Sequence, residues 1–242
     1  MNRPATLGAE ECTVRIGLDE SVLDGVLSVP ENAVGLAIFI HESGSNRRNP
    51  TNRYIARKLN EAGVATLLFD LLTSRESEID KISRHLRFDV DLMARRARGV
   101  TEWAAQQMNL VGLQVGCFGC GRGAASALVA AARSPGLIKT VISLGGRVDL
   151  ARAALPQVQA PTLLIVGRVK SILKINECAL RDLPPGMEKK LEIFKEVSYS
   201  WDEPDTLERL STLVNAWFRH YLALLPPDIY PVSSQDSALL RY

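Results

Sequence analysis

The chain has 242 residues, 46% of them apolar, enough to bury the core of one α/β domain, and its 29 Lys+Arg against 27 Asp+Glu leave a net charge of +2. So even a balance argues against a nucleic-acid-binding or membrane-binding surface, and neither partner is expected. Residues 1–11 lack the basic start and apolar run of a secretory signal, no apolar stretch nears the ~20 residues of a membrane span, and four cysteines are too few for a disulfide framework, so a cytoplasmic protein with reduced thiols is expected.

Residues 12–18 and 22–29 alternate apolar and polar positions around a turn at Asp19-Glu20, which predicts two antiparallel strands at a sheet edge. The continuous apolar run 35–40 suits a strand covered on both faces, and it ends in the polar loop His41-Glu42-Ser43-Gly44-Ser45. Residues 51–62 carry Tyr54, Ile55 and Leu59 at helical spacing, with Pro50 near the start and Gly63 at the end. A further buried strand, 64–69, is closed by Asp70, so strand, helix and strand form a right-handed parallel crossover. Between 74 and 87 the composition turns charged and the period is lost, which predicts a mobile excursion over the sheet's C-terminal edge with His85 on its surface.

Residues 88–107 read as a long amphipathic helix turning Val90, Leu92, Met93, Ala97, Val100 and Trp103 toward the sheet. Strands are expected at 139–144, 162–166 and 191–194, and helices at 172–183 and 204–222. On the last helix Leu207, Leu210, Leu213, Val214, Trp217, Phe218 and Tyr221 form one apolar face with His220 beside it. The tail from 226 to 242 is Pro- and Ser-rich at first and reads as a loosely attached extension to a single domain spanning 1–225. Alternating strands and helices after two antiparallel strands predict a doubly wound, mostly parallel α/β sheet, with ligand sites beyond the carboxyl ends of its strands.

The stretch 113–128 organises the rest: a buried strand, a sharp glycine turn and a helix of small residues. It has the form of a nucleophile elbow, in which a strained strand-to-helix turn lifts one side chain above the sheet while small residues two positions to either side let strand and helix approach. Gly119 and Gly123 supply those flanks, so the raised position is Gly121, which has no side chain to react. Centring the motif on Cys120 instead puts Phe118 and Arg122 where small residues are needed. Cys117 and Cys120 also form a C-x-x-C, but the first belongs to the strand and no second pair exists for zinc, so neither redox nor metal chemistry is expected.

Taken together, the 27–33 segment, His41-x-Ser43-Gly44-Ser45, the 69–73 segment, Gly119-x-x-x-Gly123, Gly145-Gly146-Arg147-x-Asp149 and the 160–167 segment resemble the α/β-hydrolase superfamily, nearest its dienelactone-hydrolase-like branch, over roughly residues 12–222. The resemblance implies a serine or cysteine at the position of Gly121, an acid at that of Lys170 in Gly167-Arg168-Val169-Lys170, and a histidine base at or within one residue of Tyr199. It also implies that His41 shapes the oxyanion loop, where Glu42 stands in place of the usual glycine. A carboxylate there opposes the charge that an ester hydrolase must stabilise.

Nucleophile, base and acid act as a unit, and all three are missing, so no catalytic residue is expected and no cofactor. The expectation is a pseudohydrolase that binds a ligand or serves as a subunit of a complex, with its pocket formed by His41, Glu42, Ser43, Cys120, Gly121, Arg122, Arg168, Lys170 and Tyr199. Arg122, Arg168 and Lys170 turned inward would select an anionic small molecule; a protein partner or a homo-oligomer are the other associations considered. The alternatives are a lyase or isomerase step in the remodelled pocket, or weak esterase chemistry on Cys120, whose thiolate a helix N-terminus and Arg122 would favour.

Overall fold

The computed structural model describes residues 9–41, 46–198 and 200–223. Among them eight strands form one sheet: β1 (Glu11–Leu18), β2 (Ser21–Ser28), β3 (Leu36–Ile40), β4 (Ala65–Phe69), β5 (Val115–Cys120), β6 (Ile138–Leu144), β7 (Thr162–Gly167) and β8 (Lys189–Phe194). Their spatial order is β1-β2-β4-β3-β5-β6-β7-β8. β1 pairs antiparallel with β2 and β2 with β4, while every pairing from β4 to β8 is parallel. This is the doubly wound, mostly parallel sheet with antiparallel N-terminal edge strands that the alternation predicts.

Among the described residues six α-helices cover it: α1 (Pro50–Glu61), α2 (Ser74–Ser83), α3 (Val90–Ala105), α4 (Arg122–Arg133), α5 (Lys170–Asp182) and α6 (Pro204–Leu222). Ile55 and Leu59 of α1 and Leu210, Val214, Trp217 and Phe218 of α6 close one face. Met93, Ala97 and Val100 of α3, the alanines of α4 and Ala179 of α5 close the other. The central strands are therefore apolar on both sides, which is why β3 and β4 are buried along their whole length. No helix among the described residues is long and apolar enough to cross a membrane.

The segment expected to be a mobile excursion is a correction: residues 74–83 form α2. Its start is a capping box, with the Thr73 hydroxyl accepting from the Glu76 N–H while the Glu76 carboxylate accepts from the Thr73 N–H. The helix lacks an apolar period because it buries only Asp80, and ion pairs hold it down. Arg96, itself buried on α3, reaches the Leu71 carbonyl and the Glu76 carboxylate at 2.5 and 2.6 Å, and Arg87 binds Asp80 at 2.6 Å. α5 begins two residues earlier than its apolar pattern indicates, at Lys170. The tail expected at 226–242 lies outside the described residues.

Candidate functional site

The turn between β5 and α4 has the elbow's geometry. Gly121 caps α4 with φ 53° and ψ −118°, a conformation open to glycine and costly for any other residue. Both flanks are required to be glycine by contact. A Cβ on Gly119 would lie 2.5 Å from the backbone of Ala124, and one on Gly123 would lie 2.1 Å from the Ile40 carbonyl oxygen. The apex is tied on both sides to the end of β6 and the loop after it: the Gly121 N–H donates to the Leu144 carbonyl at 3.1 Å, and the Arg147 N–H donates to the Gly121 carbonyl at 2.9 Å.

Above this turn lies a cavity of about 490 Å³ at the carboxyl ends of the parallel strands. Strand order assembles its wall from segments far apart in the chain. Asn49, Thr51 and Asn52 come from the start of α1, Cys120, Gly121 and Arg122 from the elbow, Gly145 and Arg147 from the loop after β6, and Val169 and Ile172 from the start of α5, with Ser198, Ser200 and Trp201 closing the side after β8. The N-terminal ends of α1, α4 and α5 thus converge on one space, and the positive ends of their dipoles favour negative charge there. Its described wall contains two arginines and no carboxylate.

The two arginines are differently held. Arg147 is bidentate to Asp149 through Nε and Nη2 at 2.9 and 2.8 Å; the hydrogen bond raises the arginine's pKa and, with its charge, holds the Asp149 carboxyl below its usual range. The Arg122 guanidinium sits 4.3 Å above the centre of the Phe88 ring. The Cys120 thiol donates to Asn52 Oδ1 at 3.3 Å, and Asn52 is itself buried. Cys117, by contrast, is wholly buried in the strand, and burial pushes its thiol up to about 12, far from a reactive thiolate. Trp201 meets Phe194 edge to face at 5.6 Å, a contact that fixes the indole at the rim.

Of the residues expected at the pocket, Cys120, Gly121 and Arg122 line it. Arg168 and Lys170 are exposed and the wall takes Gly167 and Val169 from that loop instead; Arg168 Nε donates to Ser198 Oγ at 2.9 Å. His41 is buried and its Nε2 accepts the Leu71 N–H at 3.3 Å, which turns the ring toward a second cavity shared with Arg47, Asp70 and Arg87. Glu42, Ser43 and Tyr199 lie outside the described residues. Sequence reasoning missed Asn49, Thr51, Asn52, Arg147 and Trp201. Arg147 was visible in Gly145-Gly146-Arg147-x-Asp149, but nothing local says that the first turn of α1 faces the elbow, since that depends on β3 lying beside β5.

No family model matches the chain. Two curated relatives, each named "Putative phosphoribosyl transferase" and coming from two strains of Mycobacterium tuberculosis, are 43% identical over 199 residues, covering 82% of this chain and 44% of theirs. The chain thus spans less than half the length of the curated relatives it matches. Among solved structures, a dienelactone hydrolase from Anabaena variabilis superposes with a TM-score of 0.86 at 45% identity, covering 89% of this chain and 99% of that one. The esterase domain of a Rhodothermus marinus protein shares the fold at a TM-score of 0.68 and 16% identity, covering 88% of this chain and 99% of that one. A likeness that extends over nearly the whole of the Anabaena protein at this identity carries more than a shared architecture: the chain belongs to the α/β-hydrolase superfamily, in its dienelactone-hydrolase-like branch.

Proposed function

We propose that this chain is a non-hydrolytic member of its branch whose elbow cavity binds a small carboxylate- or phosphate-bearing ligand, alone or within a larger assembly. The observation that carries the reading is Gly121: the apex keeps φ 53° and ψ −118° yet presents no nucleophile to the cavity. On the family pattern, Lys170 takes the place of the acid and Tyr199 that of the base, so no group at these positions would activate a nucleophile or be oriented to do so. The positive potential of three helix N-termini and the guanidinium groups of Arg122 and Arg147 suit an anion. Arg147, beside the elbow, replaces the more exposed Lys170 as the anion's second partner.

The relatives' name supports the same ligand class in a limited way. More than half of their length lies beyond the match, and we assign phosphoribosyl transfer to that part rather than to the hydrolase fold. A phosphoribosyl group is nonetheless an anion of the kind this cavity suits. Thermal shift with inorganic phosphate, acetate and ribose 5-phosphate tests the reading: stabilisation is expected for at least one, weakened by added salt and lost in Arg122→Ala/Arg147→Ala, each variant being compared with its own ligand-free melting point. Equal stabilisation of the double variant would end the proposal.

A second reading rests on Cys120, whose thiol lines the cavity and is held by Asn52. Saturable turnover of an aryl acetate that disappears in Cys120→Ala would favour thiol catalysis over a silent pocket. The non-hydrolytic reading expects turnover no greater than the background of surface nucleophiles.

A further inference from the structure

The opposite end of the sheet from β1 ends in β8, and nothing in the described chain pairs with its outer edge. The Thr162 N–H donates to the Glu188 carbonyl at 3.0 Å, and successive strand residues point their N–H and C=O groups to alternate sides. Residues 190, 192 and 194 therefore bond inward to β7, and Lys189, Leu191 and Ile193 direct their N–H and C=O groups outward. Such an edge is a template for another strand. Beside it runs a groove of about 580 Å³ between β8 and α6, walled by Phe194, Leu213, Ala216, Trp217 and Tyr221. Ile193, on the other face of the same strand, is 37% exposed. Unpaired backbone and apolar surface thus occur together, at the place where the sheet stops.

The sequence of β8 indicates what covers them. A two-fold axis through Leu191 pairs β8 antiparallel with a second copy of itself. Leu191 then faces Leu191 of the other copy, and Lys189 faces its Ile193, all of them outward-bonding residues that can exchange N–H···O pairs across the axis. The same register places Lys190 opposite Glu192 of the other copy, and Glu192 opposite its Lys190, in the close non-hydrogen-bonded positions where side chains meet. Within one strand these two are already neighbours, Nζ to Oε2 at 3.4 Å, each about a third exposed or less. A second copy would complete a square of alternating charge above the groove.

We infer that two copies of this chain associate through β8, forming a continuous sixteen-stranded sheet with the apolar grooves beside α6 closed over the axis. The contact is isologous, so it closes on itself and does not propagate. No residue of the groove lines the elbow cavity, so the contact is tested separately from what that cavity binds.

The charge square can be broken and remade. The mass of the full chain in solution, measured by sedimentation at micromolar concentration, is expected to be that of two copies. Lys190→Glu alone sets carboxylate against carboxylate across the axis, and Glu192→Lys alone sets ammonium against ammonium, so each variant should sediment as one copy. Mixing the two variants in equal amounts restores opposite charges at both positions, and should recover a two-copy species containing one of each. This recovery also separates a broken contact from a misfolded chain, because misfolded chains would not be rescued by mixing. A single-copy mass for the unmodified chain, single variants that still pair, or a mixture that does not recover would each overturn the inference.

Discussion

The turn after β5 and the loop after β7 meet at one cavity, yet different forces hold them. At the elbow, Gly119 and Gly123 lie where any side chain would collide with backbone, and Gly121 has both its N–H and its C=O engaged by the end of β6 and the loop beyond it. In the loop after β7, Gly167 abuts the Val197 carbonyl, but Arg168 and Lys170 project into solvent. The elbow's shape is thus fixed by packing, and it persists around a residue that can do no chemistry. The loop's side chains have few contacts to satisfy, so their chemistry can change without cost to the fold. A hydrolase scaffold can thus keep the backbone of its elbow around a glycine.

Substitutions put that contrast to the test, and the largest effect belongs to a flank. Gly123→Ala should cost on the order of 3 kcal/mol, because the new methyl meets the Ile40 carbonyl of a buried strand and neither backbone can move away cheaply. Urea unfolding followed by circular dichroism measures it; a loss below half of that would mean that strand and helix are less tightly apposed than the contact implies. Gly121→Ser comes next, at about 1–3 kcal/mol for a side chain forced into this region of φ and ψ. On the proposed non-hydrolytic reading it should show no saturable esterase turnover, since one member does not rebuild the unit. An unchanged melting point would show an elbow that has relaxed.

Acid probes a third segment at the same edge of the sheet, α2, which ion pairs rather than packing hold in place. Burial pushes the carboxyls of Asp80 and Glu76 upward, but hydrogen bonds from Arg87 to Asp80, and from Arg96 and Thr73 to Glu76, outweigh it and hold both below their ordinary values. A carboxyl depressed in the folded state contributes stability above its unfolded pKa, and that contribution fades as pH falls from about 4 down through the folded value. Amide exchange of residues 74–83, corrected for the intrinsic pH dependence of exchange, should lose protection over that range while β5 keeps its own. Simultaneous loss would mean that α2 does not open separately from the sheet. The smallest effect is Lys170→Asp. At an exposed first turn of α5 it should change stability by no more than about 0.5 kcal/mol, in the stabilising direction, because a carboxylate suits a helix N-terminus. A clear destabilisation would mean that Lys170 has a partner the solvent-exposed geometry does not suggest.

Much of this is readable along the chain because it is local. The apolar runs that become β3, β4 and β7 announce strands buried on both faces, the 3.6-residue period marks α6 with the limits observed, Pro204–Leu222, and the spacing of Gly119 and Gly123 defines the elbow before any coordinate is known. The helix at 74–83 is also signalled, by Thr73 and Glu76 three residues apart. That signal is hard to weigh in the sequence because the segment has no apolar face, its one buried side chain being a carboxylate.

Which of these pieces share a space is a property of the assembled sheet. Periodicity says that a helix begins near Pro50, but its first turn faces Cys120 because β3 inserts between β4 and β5. A list of cations cannot distinguish Arg147, which lines the cavity while paired to Asp149, from Arg168 and Lys170, which their direction in the loop leaves in solvent. A local pattern fixes the conformation of each segment through its own sterics and hydrogen bonds. The site depends on contacts between segments distant in the chain, and those exist only once strand order has been chosen by burying the whole sheet at once.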